Sequence, residues 1–223
     1  MSANNSSVVI IPPPKYGTKR YDVRQISSQA LSKITSMGNV YIIGLGEAIG
    51  IAATVAIVTL KGKRINIDEM HIARLEIDKI RHIAIGIDLR LARKDEMTLD
   101  YQGQSERPYV ALSLDMTRED AIGRACGILT TYDKVWIAGL GATMSKVVDV
   151  ALNLPEISSE SIGVDTIRIA EVVDAETKIR TTSLAICISK AAAGKSSVDM
   201  EDALKQHKSD IAKALHGGNV LIM

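Results

Sequence analysis

The side chains best suited to chemistry in this 223-residue chain are cations that gather at turns. In residues 15–24 a single acid, Asp22, accompanies four cations, which are Lys15, Lys19, Arg20 and Arg24. Positive charge at a strand-to-helix turn suits a nucleic-acid backbone, and Tyr16 and Tyr21 could stack on unpaired bases. A solvated loop without a ligand is the alternative, and the composition of the segment fits both.

A second group of cations follows a pattern that occurs twice. Asp78-Lys-Ile-Arg81 returns as Asp174-Ala-Glu-Thr-Lys178-Ile-Arg180, each time just before an alternating apolar stretch. Alternation on both sides of a short polar turn is typical of a β-hairpin. The sequence therefore predicts two hairpin arms with cations at their tips, Lys79 with Arg81 and Lys178 with Arg180. Lys146, on a predicted helix, is a further candidate, with an ordinary exposed face as its alternative.

Two glycine-rich stretches approach nucleotide-binding motifs without meeting their spacing. In Gly44-Leu-Gly-Glu-Ala-Ile-Gly50 the third glycine comes one place late for a dinucleotide-binding turn, and the second copy has Ser145 at that place. Gly194-Lys-Ser196 lacks the first glycine of a phosphate-binding loop. A tight strand-to-helix junction and a flexible exit into the tail account for these glycines, so no cofactor is expected.

No catalytic or metal-ligating set stands out. The four histidines are scattered, without ligand spacing and without a neighbouring cysteine, at His71, His82, His207 and His216. Cys126 and Cys187 fall at apolar positions of a predicted helix and a predicted strand, which indicates buried free thiols. We therefore expect a protein that is not an enzyme and holds no metal.

Composition limits the classes of function. Lys and Arg number 27 against 26 Asp and Glu, so the net charge is +1 and the field of a protein that coats DNA in bulk is missing. No uncharged apolar run reaches the length of about 18 residues that a membrane span needs. Residues 1–7 lack the basic and apolar regions of a signal peptide. A cytoplasmic protein, with nucleoid association as an option, is the expectation.

The elements that must position these side chains occur twice. Val40-Tyr-Ile-Ile-Gly-Leu-Gly46 returns as Val135-Trp-Ile-Ala-Gly-Leu-Gly141, each an apolar strand that leads into a helix-patterned stretch. Around each copy, apolar spacing predicts the order β-α-β-α-β-β. The predicted segments are a first unit over 1–95, a linker over 96–108, a second unit over 109–194, and a C-terminal helix with a tail over 195–223.

Periodicity also predicts approximate bounds for the elements. Alternating apolar residues place paired strands at 65–77 with 83–91, and at 164–173 with 179–189. A strand over 109–114 opens the second unit. The helix after Gly46 carries one apolar stripe, made of Ile49, Ala52, Ala53, Ala56, Ile57 and Leu60. A last amphipathic helix is predicted over 197–216, followed by an apolar end at 220–223.

The second copy carries a motif of a known family. The run from Gly141 to Asp149 resembles the second helix of the Alba (Sac10b-like) nucleic-acid-binding proteins, in which an Arg-Gly-Arg turn precedes Ala-Ile-Ser-Lys-Ala-Val-Asp. The matching positions are Gly141, Ser145, Lys146, Val148 and Asp149. The resemblance implies an α/β fold (an α+β sandwich) with two Alba-like β-α-β-α-β-β units packed as a pseudo-dimer, plus the C-terminal helix.

The departures from the family pattern fall on its cations. The arginines that flank the family's glycine are replaced by Leu45 and Glu47 in the first unit, and by Leu140 and Ala142 in the second. Each lost cation removes a phosphate contact. The resemblance still implies non-enzymatic DNA or RNA binding, as in chromatin, through basic turns and hairpin arms. The predicted contact residues are Lys15, Lys19, Arg20, Arg24, Lys79, Arg81, Lys146, Lys178 and Arg180.

A protein-protein assembly module that kept the fold and lost strong nucleic-acid binding is the alternative function. The net charge near zero and the missing arginines favour it. Homo- or hetero-oligomers would then form through the faces of the second helices or through the C-terminal tail, whose apolar end could dock on a partner. The sequence alone leaves both functions open.

Overall fold

The computed structural model describes residues 7–14, 21–61, 63–92, 108–158, 161–174, 176–192, 207–217 and 220–222. The predicted contact residues Lys15, Lys19 and Arg20 lie outside these ranges, and so does the Gly194-Lys-Ser196 turn. Of the predicted linker, only Pro108 is inside them, and the predicted tail helix is described only from residue 207. The segment boundaries given above stay predictions.

The first unit follows the predicted order of elements. They are β1 (Ser7–Ile11), α1 (Val23–Met37), β2 (Asn39–Leu45), α2 (Ile49–Leu60), β3 (Ile65–Ile77) and β4 (Ile80–Leu91), with a 3₁₀ turn at Gly46–Ala48 before α2. Asp22 caps α1, since its side chain accepts hydrogen bonds from the N–H groups of Arg24 and Gln25 at 2.9 and 3.1 Å. Gly38 ends the helix in the left-handed conformation, at φ 90°.

The second unit repeats that order. Its elements are β5 (Tyr109–Ala111), α3 (Arg118–Thr131), β6 (Lys134–Leu140), α4 (Met144–Ile157), β7 (Gly163–Val173) and β8 (Arg180–Ser189), with a 3₁₀ turn at Gly141–Thr143. Thr117 caps α3 by accepting a hydrogen bond from the N–H of Asp120 at 3.1 Å. The predicted α/β class, with two β-α-β-α-β-β units, is confirmed by this order. The strand predicted over 109–114 is shorter in the structure and ends at Ala111.

Each unit builds its own sheet and covers one face of it with helices. The first sheet has the order β3-β4-β2-β1, in which only the β1–β2 pair is parallel. The second has the matching order β7-β8-β6-β5, again with only β5–β6 parallel. Both hairpin arms, β3–β4 and β7–β8, therefore lie at the far edge of their sheets from the first strand of the unit.

The C-terminal segment belongs to the first sheet. Helix α5 (Lys208–Gly217) buries Ile211 and Ala214 against the outer face of that sheet, together with Ile10 and Leu45. Strand β9 (Leu221–Ile222) then pairs antiparallel with β1 and becomes the fifth strand. The apolar end that the sequence offered as a docking segment for a partner is thus part of the chain's own sheet, because it completes the edge of β1.

The repeated Gly-Leu-Gly turn is explained by close packing. A Cβ on Gly44 would lie 2.6 Å from the Cβ of Ala52, and one on Gly139 would lie 2.4 Å from a side-chain oxygen of the following turn. Gly46 and Gly141 both have φ +53°, a conformation that favours glycine. The motif lets each second helix begin directly against its strand, as the junction interpretation predicted.

The two units share one core through their second helices. Helix α2 contacts α4, β7 and β8, and α4 in turn contacts β3 and β4. The approach is close, since a Cβ on Gly50 would lie 3.0 Å from the carbonyl oxygen of Gly141, and the hydroxyls of Thr54 and Thr182 are 3.1 Å apart. Every residue of the apolar stripe predicted on α2 is buried. Val55, off that stripe, is fully buried as well, since α2 packs against α1 in addition to its own sheet and the second unit.

Two ion pairs join the units at equivalent positions with their charges exchanged. Lys61, after α2, contacts Glu171 of β7 at 2.5 Å, and Glu156 of α4 contacts Arg74 of β3. Counted from the second glycine of each Gly-Leu-Gly, Lys61 and Glu156 hold the same place, and the strand registers align Arg74 with Glu171. If two copies of the first unit paired in this way, Lys61 would face Arg74. If two copies of the second unit paired, Glu156 would face Glu171. The charges therefore favour the pairing of unlike units.

Substitution of Gly44 by alanine should destabilise the chain by about 1–3 kcal/mol, because the new methyl group would overlap the fixed Cβ of Ala52. Urea unfolding measures this change. Gly123→Ala is the matched control: it lies in α3 with nothing within 4 Å of its added Cβ. The control should gain about 0.5–1 kcal/mol. A loss in both variants would contradict the packing explanation.

Reversal of one charge in the Arg74–Glu156 pair tests the exchanged ion pairs. Glu156→Arg should lower the free energy of unfolding by about 1 kcal/mol, because it brings two partly exposed cations together. The double variant Arg74→Glu/Glu156→Arg should recover most of the loss. If the double variant lost the sum of both single losses in a urea double-mutant cycle, the two side chains would not be coupled.

Candidate functional site

The first arm ends in a two-residue turn made by Asp78 and Lys79. Their φ angles are 52° and 65°, both positive, as a tight hairpin turn requires. Ile80 follows at the tip with 60% of its surface exposed, and Arg81 is exposed beside it. Among the described residues, neither Lys79 nor Arg81 has a hydrogen-bond or ion-pair partner. Asp78 does have one, since the imidazole of His216 in α5 lies 2.8 Å from its carboxylate.

The second arm has a longer turn that holds its own shape. The carboxylate of Asp174 accepts hydrogen bonds from the N–H and the hydroxyl of Thr177, at 2.7 and 2.8 Å, and these bonds lower the pKa of the Asp174 carboxyl. Lys178 has φ 58° and an exposed side chain, with no partner among the described residues. Ile179, 62% exposed, corresponds to Ile80 of the first arm.

Arg180 differs from its counterpart Arg81 in being paired. Its guanidinium donates to Glu171 at 2.8 Å, and the same carboxylate accepts a hydrogen bond from Lys61 of the first unit. The hydrogen bond from Lys61, followed by that from Arg180, holds the pKa of the Glu171 carboxyl below its usual range. Near the tip of the second arm a carboxylate therefore offsets part of the positive charge that Arg180 was predicted to offer.

Lys146 closes a loop in this structure. Its ammonium group donates to the carbonyl oxygens of Ser113, Leu114 and Met116 at 3.1, 3.0 and 2.6 Å. An ammonium group has three protons, so its donors are all used. Lys146, which the motif singled out, therefore stabilises the connection between β5 and α3. A phosphate could bind its ammonium group only by displacing these carbonyl groups.

A groove between the units brings several predicted features together. It has a volume of about 410 Å³ and is lined by the start of α1 at Val23, both Gly-Leu-Gly turns at Glu47 and Gly141, and the tip end of the second arm at Arg180 and Thr182. The side chain of Arg24, one residue beyond Val23, is exposed and has no partner in the described ranges. The start of α1 and the second arm therefore border one groove, and Arg24 follows the lining residue Val23 in the chain.

The junctions themselves present no cation. Where the family has flanking arginines, Leu45 is fully buried under α5, whereas Leu140 is 49% exposed. Glu47 and Ala142, on the other side of each glycine, are both exposed. The first junction thus adds a carboxylate to the groove, and neither junction can contact phosphate as an arginine would.

A cluster of polar side chains lies on the outer face of the first sheet and was not predicted from the sequence. Tyr41 of β2 pairs in register with Asp88 of β4, and its ring centroid lies 5.5 Å from that of His207 and 6.4 Å from that of His71. Burial, and then the nearby carboxylates of Asp68 and Glu69, raise the pKa of the Asp88 carboxyl to about 6. Burial also lowers the pKa of the His207 imidazole. No local pattern marks these residues, because tail and sheet meet only in the fold.

The part of the chain that the structure describes contains no group of three His, Cys, Asp or Glu side chains that could hold a metal ion. In those same ranges no helix has the length and apolar character to cross a bilayer. Cys187 is buried and Cys126 is half-buried, and neither forms a disulfide.

Comparison with known proteins gives distant structural similarities. Neither a protein-family model nor a curated protein matches the chain. Among solved structures it is similar to Alba from Thermoplasma volcanium, with 18% identity and a TM-score of 0.32 over 37% of this chain and 99% of that one. It is also similar to ALBA1 from Trypanosoma brucei, with 17% identity and a TM-score of 0.33 over 47% of this chain and 89% of that one.

Asp88 should make the chain more stable in mild acid. Between its ordinary pKa of 3.8 and its folded pKa of about 6, the folded chain keeps a proton that the unfolded chain has released. Folding then takes up a proton, so the free energy of unfolding rises as pH falls through this window. We expect the Asp88 carboxyl to make the free energy of unfolding about 1 kcal/mol higher at pH 5 than at pH 7.5, after allowance for solvent screening.

Urea unfolding of the chain and of Asp88→Asn at both pH values measures this contribution. The variant should be the more stable at pH 7.5 and should lose the Asp88 part of the pH dependence. Glu76→Gln, exposed on β3, is the control and should follow the unsubstituted chain. Equal pH dependence in all three proteins would show that the Asp88 carboxyl has an ordinary pKa.

Proposed function

We propose that the chain binds DNA or RNA through its two hairpin arms and catalyses no reaction. The observation that carries this proposal is the tip of each arm, where an exposed isoleucine stands between a lysine and an arginine in both units. Exposed aliphatic side chains at the ends of two long hairpins have no role in the core. Their repetition with the same cationic neighbours indicates a shared ligand.

The chemistry of the tips suits a nucleic-acid backbone. Lysine and arginine pair with phosphate oxygens, and proteins that enter a groove often place an apolar side chain against the sugars or between bases. Lys79 and Arg81 are free to do this within the described structure, as is Lys178. Arg24 in the first turn of α1 adds a fourth exposed cation, and Lys15, Lys19 and Arg20 remain predicted contacts.

The proposed binding is weaker than that of a strongly basic protein and is unequal between the units. Three of the four exposed cations named above belong to the first unit, while the second arm has its arginine paired with Glu171. Each phosphate contact steepens the salt dependence of binding by about 0.9 in log K against log salt. The few contacts available predict a shallow slope, led by the first arm. A cytoplasmic, nucleoid-associated location belongs to the same proposal.

A protein-protein assembly role is the second candidate, and one observation favours it. Leu114 and Leu140 of the second unit are 75% and 49% exposed, whereas Leu45, the first-unit counterpart of Leu140, is covered by α5. The routes predicted for assembly are both used within the chain, because α2 contacts α4 and β9 pairs with β1. Any assembly would therefore use another part of the second unit.

Substitution of the first-arm cations tests the proposal. We expect Lys79→Gln/Arg81→Gln to weaken binding to a duplex or a single strand roughly 10- to 100-fold at 0.1 M salt, and to reduce the salt slope by about 2. Fluorescence anisotropy at several salt concentrations gives both values. Lys213→Gln, which removes an exposed cation from α5, is the control and should leave binding unchanged.

Two results would contradict nucleic-acid binding by the arms. One is the absence of saturable binding to DNA or RNA at low salt. The other is a loss per removed charge in the Lys213→Gln control equal to that in the double arm variant, which would mean that only the overall charge matters. A matched double variant of the second arm, Lys178→Gln/Arg180→Gln, should lose less than the first-arm variant, because Arg180 is already paired.

A further inference from the structure

The outer edge of β5 has backbone groups directed away from the sheet. The N–H of Trp136 donates to the carbonyl of Pro108 at 3.0 Å, and the N–H of Leu112 donates to the carbonyl of Ala138 at 2.8 Å. Residues 108 and 112 therefore direct these groups toward β6. Since successive residues of a strand point their N–H and C=O groups to opposite edges, those of Tyr109 and Ala111 point outward. Among the described strands, none pairs with that edge.

The equivalent edge in the first unit shows what such an edge accepts. Counted along the repeat, Val9 and Ile10 of β1 correspond to Val110 and Ala111 of β5. Ile222 and Leu221 of β9 pair antiparallel with those two first-unit residues. An apolar strand thus completes the sheet in one unit, while the matching place in the other unit has no described strand.

The tail strand also shows where the side chains of such a segment go. Val220 packs against the core between sheet and helices, whereas Leu221 packs against the cluster on the outer face of the first sheet. The side chains of successive apolar residues therefore point to opposite faces of the sheet, as the strand period of two requires. A segment that completes an edge of this kind needs apolar residues in succession and not only at every second place.

A groove beside β5 has room for such side chains. It has a volume of about 430 Å³ and is lined by Tyr109, Val110 and Ala111 of the strand and by Arg124, Gly127 and Ile128 of α3. A Cβ on Gly127 would meet nothing within 4 Å, so the space beside this residue is open. Glycine inside a helix costs about 1 kcal/mol relative to alanine, and packing within the chain does not require it here. On the outer face, Tyr109 is 43% exposed and Ala111 is exposed as well.

We propose that the outer edge of β5 binds an extended apolar segment of another protein, which adds as an antiparallel strand opposite Val110 and Ala111. One side chain of the segment enters the groove beside Gly127, and the next lies over Tyr109 on the outer face. Main-chain hydrogen bonds to Tyr109 and Ala111 supply affinity, and the groove selects the side chain. The chain's own tail strand is engaged on β1, and we assign the edge of β5 to a partner protein.

Amide hydrogen exchange on the full chain tests this proposal. The probe is a synthetic peptide of residues 219–223 (Asn-Val-Leu-Ile-Met) with lysines at both ends for solubility. The amides of Tyr109 and Ala111 should exchange freely in the chain alone and should slow at least about tenfold, saturably, with the peptide. The amide of Val110, which faces β6, should not respond. A peptide with proline in place of its leucine should give no protection.

Two variants keep the test independent of folding. Ala111→Pro removes an N–H from the outer edge, where proline is tolerated, and should abolish the effect of the peptide. Gly127→Leu fills the groove with a better helix former, so it should fold well and still lose binding at least fivefold. Thermal unfolding of both variants confirms that they remain folded.

Four results would overturn the proposal. They are slow exchange of Tyr109 and Ala111 in the chain alone, protection that appears on β1 or β9 instead, unchanged peptide binding in the two variants, and protection that depends on chain concentration without peptide. The last would identify a second copy of this chain as the occupant. None of these results bears on nucleic-acid binding, which rests on the arms.

Discussion

The close contact between α2 and the second unit is the constraint on which the rest of the structure depends. Helix α2 is apolar on nearly every side, and its own sheet can cover only one of them. Helix α1 and the second unit cover other sides, and the second unit is so close that a Cβ on Gly50 would lie 3.0 Å from the carbonyl oxygen of Gly141. A first unit alone would expose to water the part of α2 that contacts α4, β7 and β8, so the core of the first unit is complete only in the full chain.

This shared core relates the two arms to each other. Because α2 contacts the strands of the second arm and α4 contacts those of the first, each arm is anchored on the opposite unit's helix. The exchanged ion pairs at Lys61–Glu171 and Arg74–Glu156 add a preference for unlike units. Each such pair contributes little stability, but like charges in the wrong pairing would oppose it. The arrangement keeps two cationic tips on one chain.

The units then differ in what covers their sheets. The tail supplies α5 and β9 to the first sheet, buries Leu45, and contacts the first arm through His216 and Asp78. The second sheet has no equivalent cover among the described residues, and Leu140, Tyr109 and the edge of β5 remain exposed. One unit therefore has the better set of free cations, and the other has the surface suited to a further polypeptide.

The sequence predicted what depends on near neighbours in the chain. Periods of two and of three to four residues predicted the order of elements, and the glycines of Gly-Leu-Gly indicated a tight junction. Contacts between distant residues left no local signal. The burial of Val55, the clamp that Lys146 forms on residues 113–116, the pairing of β9 with β1 and the raised pKa of Asp88 each need the folded chain.

The most direct test of the central claim is an NMR titration of the isotopically labelled chain with a short nucleic-acid duplex at low salt. We expect amide signals to shift at both tips, residues 78–82 and 176–180, and at the start of α1 near Arg24. We also expect larger shifts in the first arm, while the amide signals of β5 and α5 stay unchanged. Shifts confined to the second sheet's outer face or to α5, or no shifts at all, would contradict the account.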